Sequence, residues 1–263
     1  MKDDQNGNNG NRWRFIVNPA AGGGKVRRKW PALERQLYTK GFHFDVVFTE
    51  RKFHAAELAV QAIAEGIRQI VAVGGDGTAH EVVNGIFTQN TCPPEDVTFT
   101  LLPIGTGNDW IKTHRIPKNF GNWLLFFQKG KTSFQDIGRL DYQENGSTER
   151  RYFINVAGLS YDGYVARQAE QYKSLASNTF LYLFLIFRCL FQFRIPRSGV
   201  QFGGRTAEDF FYTINIGICR YSGGGLQLVP HALPDDGLLA LTLIKRVRKW
   251  GCCSSPLCFI WAK

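Results

Sequence analysis

QIVAVGGDGT, residues Gln69–Thr78, decides the fold: the apolar run Ile70–Val73 enters a turn of two glycines, an aspartate, a third glycine and a threonine. An unbroken apolar run is a strand buried on both faces, and a glycine turn leading into a helical pattern marks a parallel β-α junction. Upstream, Arg14–Val17 (RFIV) reads as a strand entering NPAAGGG, Asn18–Gly24. A basic helix follows through about Thr39, with Pro31 in its first turn or starting a new helix. Phe42–Thr49 is a second strand and His54–Glu65 a helix; downstream, Thr78–Phe87 is a helix and Thr98–Ile104 a strand ending in PIGTGND, Pro103–Asp109. Strands alternating with helices predict an α/β domain on a parallel sheet, with ligands at the strand carboxyl ends.

The texture changes beyond about Thr132. Arg151–Val156, Gly199–Phe202, Phe210–Cys219 and Leu238–Ile244 read as strands linked by glycine turns, around a helical patch from about Tyr161 to Phe193. The expected organisation is a polar, disordered lead-in over 1–11, an α/β domain over 12–134, a mainly β domain over 135–250 and a tail over 251–263.

The 263 residues hold 32 Lys+Arg against 22 Asp+Glu, a formal charge of +10, which favours anionic partners: nucleic acid, a membrane surface or phosphate-bearing molecules. With 44% hydrophobic and 21% charged residues, wholesale disorder, collagen and coiled coil are excluded. No export signal is visible in Met1–Asn11, and the longest uncharged apolar stretch, Ser174–Phe187, has 14 residues where a spanning helix needs about twenty. These features predict a cytoplasmic protein. The six cysteines, at 92, 189, 219, 252, 253 and 258, form neither a disulfide framework nor zinc spacing and read as reduced thiols.

NPAAGGG, GGDGT (Gly74–Thr78) and PIGTGND each follow a strand. Glycine lets a phosphate approach main-chain N–H groups with no Cβ in the way, and a helix opening at the turn adds partial positive charge. Two of the three turns also carry an acid, Asp76 and Asp109. An acid repels phosphate unless a cation intervenes, so the pair reads as holding Mg²⁺ or its waters against a nucleotide; the plain alternative is a carboxylate bonded to loop amides. Neither the GxxxxGK[ST] nor the GxGxxG pattern is present.

These three elements, with Phe153–Val165 (FINVAGLSYDGYV) and Gly223–Leu241 (GGGLQLVPHALPDDGLLAL), resemble the signatures of the diacylglycerol kinase catalytic-domain family, in order, from about 12 to 250. The resemblance implies a nucleotide-binding α/β domain like that of NAD kinases and 6-phosphofructokinases, then a β-sandwich domain, with the active site in the cleft between them. It implies transfer of the γ-phosphoryl of ATP to a lipid hydroxyl such as that of diacylglycerol. By position, Asn18, Thr49, Gly75, Asp76, Gly77, Thr78, Ala79, His80, Glu81 and Thr106 would contact ATP, and Asp76 and Asp109 would order the catalytic magnesium. A second, structural magnesium would take the carboxylate of Asp236 and backbone oxygens of Leu233 and Leu238; without the resemblance, Asp235-Asp236-Gly237 reads as a hairpin turn. Lys25 and Arg27-Arg28-Lys29 either neutralise phosphate or form a solvated helix face.

The chain departs from the family pattern in three places. His80 stands where asparagine is usual and Ser160 where glycine is common, while Glu81 is retained. The family's returning Asp-Gly-Glu segment, whose glutamate is the proposed base for the acceptor hydroxyl, has no counterpart after Asp236. Residues 251–263 show no strand or helix period and read as a frameshifted or truncated end, which would weaken general-base catalysis and leave a sheet edge open. The alternatives to a lipid kinase are a small-molecule kinase of the NAD kinase type and a nucleotide-binding module without turnover. Phe180–Phe193, with Arg188, Arg194 and Arg197 nearby, is the candidate for peripheral contact with the inner membrane surface, for acyl-chain binding, or for a buried helix. Lys245, Arg246, Arg248, Lys249 and Lys263 supply half of the +10, so the charge gives no separate support for nucleic-acid binding.

Overall fold

The structure, a computed structural model, describes residues 12–105, 107–171, 179–246 and 259–262. The lead-in 1–11, Thr106 and residues 251–258 of the tail lie outside them. The chain divides into two compact units: one runs through Ile154 and takes in Gly223–Gly225, the other comprises Asn155–Ser222 and Leu226–Lys263.

The first unit is built on strands β1 (Trp13–Val17), β2 (Phe44–Phe48), β3 (Gln69–Gly74) and β4 (Thr98–Pro103), all parallel in the order β2-β1-β3-β4. Phe15–Val17, Ile70–Val73, Leu101 and Leu102 are buried, as their unbroken apolar runs require. The register pairs Val17 with both Phe48 and Val73, and Gly74 with Pro103, so the loops after the strands emerge along one edge. Helices α1 (Ala21–Thr39), α2 (His54–Ala64) and α3 (Asp76–Thr88) connect the strands. α4 (Trp110–Thr113) and α5 (Phe120–Gln128) follow β4. Contrary to expectation, Pro31 neither lies in the first turn of α1 nor starts a new helix; it stands inside α1 at an exposed position.

A hairpin of β5 (Gly138–Glu144) and β6 (Ser147–Phe153) completes this unit. Asn84 on α3 holds it at two points: its Nδ2 donates to the Tyr152 carbonyl at 2.8 Å and its Oδ1 accepts from the Tyr152 amide at 2.9 Å.

In the second unit, β7 (Val156–Ser160), β8 (Arg197–Phe202), β9 (Arg205–Gly217) and β12 (Ala240–Lys245) form an antiparallel sheet with β13 (Phe259–Ala262). β10 (Tyr221–Ser222) pairs with β11 (Leu226–Gln227). Helices α6 (Tyr161–Gln171) and α7 (Thr179–Gln192) lie between β7 and β8. Phe211, Ile214, Leu241 and Leu243 form one core cluster, and Tyr161, Val165, Leu185 and Cys189 another.

Two expectations are corrected. Arg151–Val156 is not one strand: β6 ends at Phe153 and β7 begins at Val156, because the Asn155 carbonyl turns to accept from the Ile218 and Cys219 amides. The tail is not without regular structure either: Phe259–Ala262 pairs with Ile244–Leu241 and covers that edge of β12. Four residues are too few for a periodicity to show. Cys92, Cys189 and Cys219 are free thiols, and no helix among the described residues is long and apolar enough to cross a membrane.

Candidate active site

The three glycine turns meet at the carboxyl edge of the parallel sheet. The Asn18 amide donates to the Val73 carbonyl at 3.0 Å, its Oδ1 accepts from Ala20 N at 3.1 Å, and its Nδ2 donates to Thr78 Oγ1 at 3.1 Å. The loop after β1 is thereby tied to the start of α3. Thr49 extends the β1–β2 pairing by donating its amide to the Val17 carbonyl at 2.9 Å.

Backbone approach explains the glycines here. A Cβ on Gly74 would sit 2.3 Å from Thr78 Oγ1, one on Gly105 2.7 Å from the Cα of Gly75, and one on Gly22 2.9 Å from the Ile104 carbonyl oxygen. Gly22, Gly23 and Gly24 are all left-handed, with φ of 62, 65 and 80°. A Cβ on Gly77 would meet nothing within 4 Å, which leaves the N-terminal turn of α3 open to an incoming group.

The two aspartates belong to one bonded assembly. Asp76 Oδ2 accepts from Asp109 N at 2.9 Å and Oδ1 from Trp110 N at 3.1 Å, so the GGDGT carboxylate satisfies amides at the start of α4. Asp109 is buried; its Oδ1 pairs with Lys112 Nζ at 2.6 Å and its Oδ2 accepts from Gly224 N at 2.7 Å. Asn108 is 2% exposed at φ 54° and donates to the Gly105 carbonyl at 2.8 Å, while its Oδ1 has no hydrogen-bond partner. Both carboxylates therefore make the amide bonds of the plain reading, yet each oxygen keeps lone pairs. Two carboxylates and an unpartnered amide oxygen suit magnesium, which is held by one or two protein carboxylates with water and phosphate supplying the rest. Among the described residues no cluster of three or more His, Cys, Asp or Glu forms an all-protein metal cage.

The remaining predicted residues divide. Thr78 and Ala79 are buried in the first turn of α3. His80 is mostly buried, and burial, then the nearby Arg151 charge, push its pKa down, so the ring is neutral at pH 7. Glu81 Oε2 accepts from Ala55 N at 3.2 Å at the start of α2. Thr106 lies outside the described residues. In the second unit, Asp236 Oδ1 accepts from Leu238 N at 3.1 Å, the bond of a turn, and Leu233 and Leu238 are exposed. Lys25, Arg27, Arg28 and Lys29 are exposed on α1.

Sequence reasoning missed Asn108, Lys112 and Gly224. Asparagine's tolerance of positive φ and the i,i+3 spacing of Asp109 and Lys112 were usable signals; for Gly224, 115 residues from its partner, there was none. It also missed a polar cluster in the second unit. The Thr213 hydroxyl donates to the Asp162 carboxylate, and Asn215 Nδ2 donates to Thr213 Oγ1 at 3.2 Å. Burial pushes the Asp162 carboxyl up in pKa, against the pull of the Thr213 and Asn215 hydrogen bonds. Thr242 stands opposite Asn215 across the β9–β12 pair, and Asn215 Oδ1 and Thr242 Oγ1 have no hydrogen-bond partner.

Comparison with known proteins accords with this architecture. Residues 12–140 match the diacylglycerol kinase catalytic domain, and residues 155–255 match the YegS C-terminal NAD kinase beta sandwich-like domain. A protein named diacylglycerol kinase from Staphylococcus aureus (strain bovine RF122 / ET3-1) is 28% identical over 235 residues, which are 89% of this chain and 71% of that protein. Two solved structures from Bacillus anthracis strain Sterne, one assigned provisionally and one outright as a diacylglycerol kinase, share the fold. They have TM-scores of 0.65 and 0.61 at 23% and 22% identity, and both matches cover 89% of this chain, with 76% and 74% of the respective structures. With the two matches in order and the glycine loops assembled at one sheet edge, residues 12–140 carry a diacylglycerol kinase catalytic domain and residues 155–255 a YegS-type C-terminal domain, in the arrangement of relatives named as lipid kinases.

Proposed function

We propose that this chain transfers the γ-phosphoryl of Mg-ATP to the hydroxyl of a membrane lipid of the diacylglycerol type. The observation that carries the reading is the convergence of three glycine-lined turns on one sheet edge, with Asp76 and Asp109 bonded together there. Phosphoryl transfer asks a protein mainly for positioning and charge neutralisation. Gly75–Glu81 at the start of α3, with Asn18, Thr49 and Thr106, would contact ATP. Asp76 and Asp109 would hold magnesium, with Asn108 Oδ1 as a further donor. That ion would spread the charge developing on the transferred group.

Lys112 Nζ pairs with the buried Asp109 carboxylate at 2.6 Å and so offsets its charge. In the transfer the bond from the γ-phosphorus to its bridging oxygen breaks, the lipid oxygen takes the phosphoryl group, ADP departs and one proton is released. Asp236 with the backbone oxygens of Leu233 and Leu238 would hold the second, structural magnesium. The partners of this reading are ATP and lipid, with no nucleic acid.

Incubation with γ-labelled ATP, magnesium and mixed micelles containing diacylglycerol tests the reading. Labelled lipid is expected, and Asp76→Asn is expected to lower its formation about 10²-fold or more. A labelled product that stays in water would point instead to a small-molecule kinase, and nucleotide binding without product to a module lacking turnover.

A further inference from the structure

Helix α7 is apolar on more sides than its own unit uses. Leu185 and Cys189 turn inward against Tyr161 and Val165 of α6. Phe184, Phe187, Leu190 and Phe191 turn outward, at 67%, 64%, 44% and 72% exposure. Phe184, Phe187 and Phe191 stand three and four residues apart and form one stripe on the helix. Single exposed apolar residues are ordinary, but an aromatic stripe of this kind marks a surface that is covered in use. The three rings line a shallow depression with Arg188 and Gln192.

Charge identifies what covers it. From Gln171 through Ala207 the sequence contains no acid, while Lys173, Arg188, Arg194, Arg197 and Arg205 supply five cations. Arg188 and Arg194 are exposed, and Arg197 makes a solvent-exposed pair with Glu208 at 3.2 Å. A second copy seated on the same patch across a two-fold axis would set Arg188 against Arg188. An anionic surface has the opposite charge, and aromatic rings beside basic side chains suit the boundary between headgroups and acyl chains. With 14 residues, α7 is too short to span.

We infer that the outward face of α7 docks onto an anionic lipid bilayer, with Phe184, Phe187 and Phe191 entering the acyl boundary and Arg188 and Arg194 at the headgroups. This deepens the lipid-kinase reading, since a kinase whose acceptor stays in the bilayer must reach it from the surface.

Flotation of the full chain with vesicles of 30% phosphatidylglycerol in phosphatidylcholine, without ATP, tests the surface directly. The chain is expected to float with these vesicles and only weakly with pure phosphatidylcholine. Combined Phe184→Ser, Phe187→Ser and Phe191→Ser is expected to weaken binding about tenfold or more with an unchanged melting temperature. Arg188→Glu with Arg194→Glu should weaken binding to the anionic vesicles alone. Equal flotation of wild type and the serine variant would overturn the proposal, as would a wild-type dimer that the serine changes dissociate in the absence of lipid. Phosphorylation of a short-chain diacylglycerol, dispersed as monomers, separates the two readings. Phe-dependent flotation without lipid phosphorylation removes the kinase reading and keeps the docking face. Phosphorylation of monomers without Phe-dependent flotation does the reverse.

Discussion

Asp162 is a carboxylate placed where a neutral side chain would rest more easily. Burial raises its pKa above the unfolded value of about 3.9, so the folded state keeps a proton that the unfolded chain has lost. The sign follows: this group's contribution is most favourable below about pH 4 and is lost as pH rises through the raised folded value. Asp162→Asn is expected to make the second unit more stable at pH 7 and to flatten its melting temperature between pH 4 and 7; parallel pH profiles for the two proteins would contradict this. A carboxylate kept against such a cost belongs to function more often than to folding. At this scale the sequence was legible where a residue sits in a glycine-rich turn directly after a strand. Asn18, Gly75 and Asp76 announce themselves by their turns, whereas Asn84 acts on Tyr152, 68 residues away, and Thr213 on Asp162, 51 residues away. No local pattern encodes such pairings.

The elements of the first unit were legible because strand and helix signals alternate there and each of the three glycine-rich turns follows a strand. The gaps lay where one apolar run serves two sheets, as at Arg151–Val156, and where a strand is as short as Phe259–Ala262. Packing between elements is a further layer that periodicity does not show. α2 and α3 cross so closely at Gly85 that a Cβ there would lie 2.3 Å from the Ala56 carbonyl oxygen and 2.8 Å from the Ala59 Cβ. Replacing glycine by alanine inside a helix gains about 1 kcal/mol in propensity. Here the backbone oxygen cannot move aside alone, so Gly85→Ala is expected to be net destabilising, by about 1–3 kcal/mol, in urea unfolding. A stabilised variant would mean that the helices separate freely.

Across the whole molecule, the texture change near Thr132 announced two parts, and the structure has two compact units. Neither the placement of the β5–β6 hairpin nor that of Gly223–Gly225 in the first unit was readable, because docking sites on a finished surface leave no trace in local sequence. Units with separate cores unfold as separate transitions where their coupling is weak. Calorimetry with Mg-ATP at 100 times its dissociation constant should stabilise the unit holding the three glycine turns by about 2.7 kcal/mol and leave the other transition in place. A shift of the other transition alone would put the nucleotide elsewhere.

The bond from Gly224 to Asp109 also has a place in time. Chains emerge from the ribosome at about 5–20 residues per second, so the 115 residues between the two partners take about 6–23 s to make. Through that interval the parallel sheet already has all its strands, while the Asp109 carboxylate has its Lys112 partner but not yet Gly224. The nascent first unit is thus an assembled sheet with an unfinished site, completed only when a glycine turn made much later arrives.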